Sequence, residues 1–427
     1  MKYKVYKFGG ASVKDANGIK NLQHILNLHQ GEERLIVVVS AMGKTTNLME
    51  QIVDAWYYNK EALPQLCQTL KINHYQVAYD LGGNSAEIIS QLNRFFDKLA
   101  QILAEGHSDN YDFDYDRIVS FGEYLSTTII SNFLNQNNIN NHWLDACKII
   151  RTDNCYREGR VNWNITVQEV QKHIQNIHDT DPTQPIIITQ GFIAGTSEKL
   201  RTTLGREGSD YTAAIIAYSI NAEDVTIWKD VPGLLNADPK IFPDAIKLDA
   251  IPYREAIELS YYGASIIHPK TLKPLRDKQI PLYVKSFFHP EDAGSIIKTM
   301  EEQSKIPSFI VKKDQILLSI FPKDYSFIAV ENLSEIFNLF SSNRIKINLM
   351  QNSALSFSVC IDNKPQRFQI LKDCLSKNYN IKYNNKVELI TIRHYNQESI
   401  QKALQERTPI LEQKNRTTMQ FIVEVKS

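Results

Sequence analysis

The sequence predicts an α/β protein in two parts: a three-layer αβα sandwich followed by tandem ferredoxin-like units. Short apolar runs alternate with helical patterns over the first two thirds of the chain, the order of a sheet with helices on both faces. Leu35–Ser40 is apolar at consecutive positions, as in a central parallel strand. After about residue 300 the predicted order becomes β-α-β-β-α-β, which is typical of a ferredoxin-like unit.

In the first region each predicted strand is followed by helical sequence. The strands are Val5–Phe8, Leu35–Ser40, Ile186–Thr189 and Val225–Trp228, and the helices are Gly18–His29, Leu48–Tyr57, Leu63–Leu81, Ile88–Ala104 and Tyr211–Ser219. Ligands of such sheets bind at the carboxyl ends of the strands. We therefore expect functional residues directly after these strands.

The tail contains one complete ferredoxin-like pattern and one shorter pattern, after a segment at 300–307 that has the composition of a linker. Its predicted elements are strands at Gln315–Phe321, Ile345–Met350, Leu355–Ile361, Ile381–Tyr383, Val387–Ile392 and Met419–Val425, and helices at Leu333–Phe340, Phe368–Leu375 and Glu398–Arg407. We predict domains at 1–298 and 306–427. The second divides into units at 314–386 and 387–427, with 306–313 as the segment that would complete the shorter unit.

Composition excludes several classes of protein. The 427 residues carry 48 Lys+Arg and 48 Asp+Glu, and this zero net charge disfavours a bulk electrostatic nucleic-acid binder. No apolar run approaches the roughly 18 residues of a membrane span, and the first residues lack a signal-peptide core. The five cysteines include no CxxC pair and are expected to be small buried thiols in a reducing compartment. We predict a cytoplasmic protein with neither a nucleic-acid nor a membrane partner.

The segment KFGGAS places Lys7 at the end of the first predicted strand, before Gly9 and Gly10. Glycines let backbone N–H groups approach an anion, and the ammonium supplies charge. A Gly-Gly turn beside a solvated lysine is the plainer interpretation.

SAMGKTTN follows the most apolar strand and contains GKT. A P-loop needs a glycine five positions before Gly43, where this chain has Val38. We therefore reject a P-loop here. The hydroxyls of Ser40, Thr45 and Thr46 are instead candidates to hold a small polar substrate.

SFGEYLST places Glu123 at the predicted start of a helix. An acid there either compensates the helix dipole or binds a cationic group such as an α-ammonium.

TLGREGSDYTAA leads through Gly205 and Gly208 into a helix. Ser209 or Asp210 could be a simple N-cap, but a helix N-terminus also attracts anions. Arg206 could pair bidentately with a carboxylate, and Asp210 could position a lysine or meet Mg²⁺.

WKDVPGLLNADPK, which spans Trp228–Lys240, has turn signatures and follows a strand, so it could hold a nucleotide. In GASIIHP, His268 precedes a proline and is expected to be structural.

Taken together, these six segments and VKSFFHP at Val284–Pro290 resemble, in order, the aspartate kinases of the amino-acid kinase family. The resemblance covers about residues 1–300, and the tail resembles the paired ACT regulatory domains of such kinases. The ASV after KFGG and the VKSFFHP segment favour aspartate over glutamate or acetylglutamate as the substrate.

The resemblance implies transfer of the ATP γ-phosphoryl group to the side-chain carboxylate of L-aspartate, the first step towards lysine, threonine and methionine. It implies catalytic roles for Lys7 and Asp210. Aspartate would be bound by Thr46, Glu123, Arg206 and Ser209, with Glu123 on the ammonium and Arg206 on the α-carboxylate. ATP, with Mg²⁺ held mainly through the nucleotide, would be bound by Gly9, Gly10, Ser40, Gly208, Lys229, Asp230 and Lys240.

The resemblance also implies a lysine or threonine effector bound by the tail, and a homodimer or higher homo-oligomer formed through it. Four positions depart from the family pattern: Glu207 replaces a glycine, Ser265 a lysine, Leu235 a tyrosine and Lys240 an arginine. Ser265, Leu235 and Lys240 predict altered contacts on the adenine side, and Glu207 would be a charge penalty near the phosphates unless it points away or meets a cation. The alternatives are another kinase of this fold, acting on a different carboxylate or carbamate, and a non-catalytic amino-acid sensor.

Overall fold

The computed structural model describes residues 3–28, 34–83, 85–181, 183, 186–264, 267–301, 306–324 and 326–425. The chain forms two compact units. The first comprises Met1–Leu234, Lys247–Ile257 and Ile266–Glu301, and the second comprises Leu235–Ile246, Glu258–Ser265 and Glu302–Ser427. The second unit thus includes two segments from within the region 1–298 that the sequence predicts as one domain. The domain boundaries at 298 and 306 stay a prediction.

Twelve strands and eleven helices are described up to residue 298. The strands are β1 (Tyr3–Phe8), β2 (Arg34–Val39), β3 (Asn141–Leu144), β4 (Ile186–Gln190), β5 (Ile193–Gly195), β6 (Arg201–Thr203), β7 (Asp224–Lys229), β8 (Leu234–Leu235), β9 (Lys247–Leu248), β10 (Ala250–Pro252), β11 (Leu282–Ser286) and β12 (Ser295–Lys298). The helices are α1 (Ala16–Leu28), α2 (Thr45–Tyr58), α3 (Leu63–Leu81), α4 (Ser85–Glu105), α5 (Tyr111–Val119), α6 (Phe121–Gln136), α7 (Ala146–Ile149), α8 (Trp163–Thr180), α9 (Gly208–Ile220), α10 (Tyr253–Tyr262) and α11 (Pro269–Asp277).

An eight-stranded sheet organises the first unit, in the order β10-β12-β11-β7-β1-β2-β4-β3. Neighbours from β11 to β3 run parallel, and β12 is antiparallel to β11. The chain continues from β1 to β2 on one side and returns later to β7 on the other. The carboxyl ends of β1 and β7 therefore form a topological switch point, where such sheets bind ligands.

Alternation along β1 sends neighbouring side chains to opposite faces of the sheet. Tyr6 and Phe8 are buried in a core shared with residues of α1 to α6. Lys7 points to the opposite face, where it meets Asp210 of α9. The pleat of β1 thus places Tyr6 and Phe8 in the apolar core and the Lys7 ammonium on the opposite face of the sheet.

The predicted parallel α/β region is confirmed, and α3 has the predicted bounds Leu63–Leu81. Strand β2 ends at Val39, so Ser40 is the first residue after it rather than its last. His268 accepts a hydrogen bond from the Lys270 N–H through Nδ1 at 3.1 Å and caps α11, a structural role. Edge strand β3 was not predicted, because four residues with two polar side chains carry little strand signal.

The second unit is built on six antiparallel strands in the order β14-β15-β13-β16-β18-β17. Their bounds are β13 (Ser308–Pro322), β14 (Ile347–Asn352), β15 (Phe357–Asp362), β16 (Tyr379–Arg393), β17 (Leu411–Lys414) and β18 (Thr418–Glu424). The helices are α12 (Val330–Ser342), α13 (Pro365–Leu375) and α14 (Gln397–Leu404).

The two halves of this sheet share strands β13 and β16, which pair with each other along their length. The separate strands predicted at Ile381–Tyr383 and Val387–Ile392 are wrong in this respect, because both belong to β16. A register irregularity interrupts the β13–β16 ladder between Lys312 and Leu317. One apolar core with residues of α12 and α13 lies on one side of this irregularity, and a second core with α14 lies on the other.

The structure bears on two further predictions from the sequence, which concern the cysteines and a membrane span. The cysteines are all free, but only Cys360 is buried, and Cys155 is exposed, so the expectation of five buried thiols is wrong. None of the described helices is both long and apolar enough to cross a membrane. The predicted linker at 300–307 lies partly outside the described residues.

Candidate active site

Three charged side chains meet at the switch point of the sheet. Lys7 lies near the end of β1, Lys229 ends β7, and Asp210 lies in the first turn of α9. The Lys7 Nζ is 2.6 Å from Asp210 Oδ1, and the Lys229 Nζ is 4.0 Å from Asp210 Oδ2. The structure therefore brings together three of the predicted site residues, with a net charge of +1 across the cluster.

The carboxylate of Asp210 is held ionised by its neighbours. It is 3% exposed, and burial alone would raise its pKa. The ammonium groups of Lys7 and Lys229 outweigh that penalty and lower the pKa of Asp210 below its ordinary value. Asp210 thus fixes two cations near the strand ends, where an anionic group such as a phosphate could be bound.

The loops that follow β1 and β2 are held in close contact. The Gly43 N–H donates a 2.9 Å hydrogen bond to the Gly10 carbonyl. A Cβ on Gly10 would lie 2.7 Å from the carbonyl oxygen of Ala41, so a side chain there would push the loops apart. A Cβ on Gly9 would lie 3.3 Å from Lys7 Nζ. Gly10 therefore lets the two loops come together, and Gly9 leaves room beside the lysine.

Glu123 lies in the first turn of α6 and is 2% exposed. Its Oε1 accepts a 3.4 Å hydrogen bond from the Ala41 N–H, while its buried Oε2 has no partner among the described residues. Burial raises the pKa of Glu123 to about 8, although the bond from Ala41 opposes the shift. A buried carboxyl with one unsatisfied oxygen indicates that Glu123 binds a cationic ligand group. It argues against the alternative, a solvated residue that only compensates the helix dipole.

Ser40 directly follows β2, and Ser209 lies in the first turn of α9, close to the turn after β4. Ser209 is buried in α9, and a Cβ on Gly191, just after β4, would lie 2.5 Å from its Cβ. The Ser40 carbonyl accepts a hydrogen bond from the Ser126 hydroxyl at 2.8 Å, which ties the end of β2 to α6. Thr46 is half-buried in the first turn of α2.

Other predicted site residues are not brought into this cluster by any described contact. Arg206 and Asp230 are exposed. Gly208 packs so that a Cβ would lie 2.7 Å from the Phe192 ring, and its N–H donates to the Gly205 carbonyl at 3.0 Å. Lys240 is exposed and belongs to the second unit.

The residues that depart from the family pattern lie in different parts of the chain. Leu235 lies in β8, and Ser265 lies outside the described residues. Glu207 adopts a left-handed backbone conformation, with φ +54° and ψ 30°, at the N-cap of α9. Glycine adopts that conformation without steric cost, whereas other residues are strained. Glu207 Oε2 is also buried without a partner among the described residues.

Two residues near the site escaped the sequence analysis. Asp116 of α5 is fully buried, accepts 2.9 Å hydrogen bonds from the N–H groups of Thr203 and Arg157, and accepts a 2.7 Å bond from the Thr203 hydroxyl. Arg201 lies over the rings of Phe121 and Tyr124 at 4.7 and 4.9 Å. Both brace segments that carry Arg206 or Glu123, and no local sequence signal marks them.

The arrangement can bind an anion and a cation side by side. Cations and glycine turns line the ends of β1 and β7, and a buried carboxyl lies beyond the end of β2. A carboxylate nucleophile needs no general base, so catalysis at such a site consists of positioning and of charge stabilisation. No three described His, Cys, Asp or Glu side chains are clustered to hold a metal ion.

We predict that Glu207→Gly stabilises the first unit. Removing the left-handed strain should raise its free energy of unfolding by about 1 kcal/mol, net of the greater flexibility of glycine when unfolded. Glu207→Ala is the matched control, because it removes the carboxylate and keeps the strain. Thermal unfolding should separate the two variants, and equal midpoints would contradict the strain.

We predict that Asp116→Ala destabilises the first unit by about 3 kcal/mol or more, because two N–H groups and a hydroxyl lose their buried acceptor. Asp109→Ala, which removes an exposed carboxylate close by, should change stability by less than about 0.5 kcal/mol. Urea unfolding measures both variants. A similar small effect of both substitutions would remove Asp116 from its bracing role.

Comparison with known proteins agrees with this fold. The model of the Amino acid kinase family matches residues 2–286. The chain is 31% identical over 371 residues to aspartokinase 2, chloroplastic, of Arabidopsis thaliana, covering 84% of this chain and 66% of that protein. It is 29% identical over 363 residues to lysine-sensitive aspartokinase 3 of Escherichia coli, covering 84% of this chain and 78% of that protein. It thus spans about two thirds of the length of the Arabidopsis relative.

Among solved structures, E. coli aspartokinase III in complex with aspartate and ADP superposes with a TM-score of 0.83 at 23% sequence identity, covering 99% of this chain and 96% of that one. At that identity the likeness concerns the fold. The family match extends over both the parallel sheet and the cluster of Lys7, Asp210 and Lys229. The chain belongs to the amino acid kinase family.

Proposed function

We propose that this protein is an aspartate kinase, which transfers the γ-phosphoryl group of ATP to the side-chain carboxylate of L-aspartate and yields ADP and 4-phospho-L-aspartate. The observation that carries the proposal is the cluster of the buried Lys7 and Asp210 with the half-buried Lys229 at the switch point of the sheet. Two relatives named aspartokinases support the choice of aspartate.

In this proposal Lys7 lies against the transferring phosphoryl group. Its ammonium would stabilise the negative charge on the phosphoryl oxygens, while the ion pair with Asp210 holds it in position. Lys229 would bind the same polyphosphate from the end of β7, and Gly9 and Gly10 would offer backbone N–H groups to it. Mg²⁺ bound to the phosphates would supply further neutralisation. Contacts of Ser40, Gly208, Asp230 and Lys240 with the nucleotide belong to the same proposal.

Aspartate would be oriented by both of its α-groups. Glu123 would accept the α-ammonium through its unpartnered Oε2, and Arg206 would pair with the α-carboxylate. Thr46 and Ser209 would donate hydroxyl hydrogen bonds to the substrate. The side-chain carboxylate of aspartate would then remain free to attack phosphorus in line with the leaving ADP.

The proposal extends to regulation and assembly. We propose that the antiparallel second unit binds an amino-acid effector, lysine or threonine, and the name of the lysine-sensitive E. coli relative supports lysine. An effector inhibits only through unequal affinity for active and inactive states. Strands β14 and β17 form the edges of that sheet, and sheet edges can self-pair, which supports a homodimer or higher homo-oligomer. A cytoplasmic location stays a prediction.

The experiment that tests the proposed function is an ATP-dependent hydroxamate assay, because hydroxylamine traps acyl phosphates. Aspartate should give product, whereas glutamate, acetylglutamate and UMP should give none. ATP binding without turnover would instead support a non-catalytic sensor. Repeating the assay with lysine, threonine and methionine identifies the effector.

We predict that Lys7→Gln lowers kcat by roughly 10²- to 10³-fold, the effect of losing one preorganised charge-stabilising group. It should also destabilise the first unit by about 3 kcal/mol, because Asp210 loses its buried partner. The double variant Lys7→Gln/Asp210→Asn should recover stability but not activity. Steady-state kinetics and urea unfolding measure the two effects, and recovery of activity in the double variant would contradict the role of Lys7.

We predict that aspartate binding releases protons near neutral pH. With its pKa raised to about 8, Glu123 is mostly protonated at pH 7 and must ionise to pair with an ammonium. The aspartate KM should therefore fall about tenfold per unit as pH rises from 6 towards 8. Titration calorimetry in buffers of different ionisation enthalpy measures the release.

In Glu123→Gln the proton release should disappear and the aspartate KM should rise. A wild-type KM that is independent of pH over this range would show that Glu123 is not the ammonium ligand.

A further inference from the structure

A second cavity of about 250 Å³ lies in the first unit, between α4, α6 and β3. Its lining is distinct from the residues of the candidate active site. Drug-sized ligands occupy pockets of about 300–1,000 Å³, so this cavity suits a smaller molecule.

One wall of the cavity carries positive charge. Arg94 and Lys98 lie four residues apart in α4, so they project from the same helix face. Neither pairs with a carboxylate among the described residues, and none of the described lining residues is acidic. Two cations that lack a carboxylate partner in the described part of the chain favour an anionic ligand.

The cavity lining also includes aromatic side chains that are held in place. Phe95 stacks on Tyr124, with centroids 5.4 Å apart and planes 12° from parallel, and Tyr124 lies 5.9 Å from Trp143. The Trp143 indole N–H donates a 2.9 Å hydrogen bond to Thr127 Oγ1. Phe95 and Trp143 line the cavity. A fixed aromatic wall favours a flat apolar ligand body.

The remaining polar lining is largely self-satisfied. The side-chain amides of Gln91 and Asn132 exchange two hydrogen bonds of 2.9 Å. The Ser131 hydroxyl donates to Asn141 Oδ1 at 2.6 Å. Arg94 and Lys98 are therefore the lining groups left to bind a charged ligand, and their positive charge selects a negatively charged one.

We propose that this cavity is a second ligand site, which binds a small flat organic carboxylate. The carboxylate would pair with Arg94 and Lys98, and the flat body would lie against Phe95 and Trp143. The inference does not depend on the proposed kinase activity.

An occupant would contact α6, the helix that carries Glu123. Thr127 links the cavity to the backbone at Glu123. Its hydroxyl donates to the Glu123 carbonyl at 2.8 Å, and it accepts hydrogen bonds from the Trp143 indole and the Gln190 side chain, each at 2.9 Å. The site thus lies on the helix that holds the buried carboxyl.

Titration calorimetry on the full chain tests the proposal, with 2-naphthoate as the probe. We expect a dissociation constant below about 1 mM, and binding of neutral 2-naphthamide and of ringless acetate that is at least about tenfold weaker. Equal binding of the amide would overturn the anionic class, and equal binding of acetate would overturn the flat body.

Variants locate the binding. Arg94→Gln/Lys98→Gln should weaken naphthoate binding at least about tenfold, and both side chains are exposed, so folding should be preserved. The matched control Lys60→Gln/Lys172→Gln removes two exposed cations outside the cavity and should bind like the wild type. Trp143→Phe should also bind more weakly. No binding to the wild type, or equal loss in the control, would overturn the proposal.

Discussion

The ion pair between Lys7 and Asp210 is the interaction on which the site depends. A buried carboxylate is unfavourable unless a cation pairs with it, so Asp210 requires Lys7 at 2.6 Å, with Lys229 near its other oxygen. Each partner is delivered by a different element: β1, β7 and the start of α9. The parallel register of β1 with β7 brings the two lysines to the same edge of the sheet.

Glycines make this convergence sterically possible. Gly10 lets the turn after β1 contact the loop after β2, and Gly191 lets the turn after β4 approach Ser209. Glu207 is unusual for a different reason, its own backbone conformation. It occupies a left-handed position next to Gly208, where a residue without a Cβ would be unstrained. The chain therefore carries local backbone strain at the helix start that holds Ser209 and Asp210.

Much of the site could be predicted from the sequence, because its residues follow apolar strands or turn glycines. Lys7, Gly9 and Gly10 at the end of β1, and Ser209 with Asp210 after a glycine turn, are of this kind. Asp116 and Arg201 could not be predicted, since their roles arise from packing between segments distant in the chain. For the fold, β16 was predicted as two strands, because the exposed polar residues 384–386 interrupt its apolar pattern. Pairing with β13 on both sides of that break keeps it one strand.

In the proposed reaction, the side-chain carboxylate of a bound aspartate attacks phosphorus while Lys7 and Lys229 hold the phosphoryl oxygens. An oxygen-transfer measurement tests it most directly. Aspartate labelled with ¹⁸O in its side-chain carboxylate is incubated with ATP and hydroxylamine, and the released phosphate is analysed by ³¹P NMR. Attack by the carboxylate predicts one ¹⁸O atom in each phosphate that accompanies hydroxamate. Phosphate without the label would contradict attack by the carboxylate.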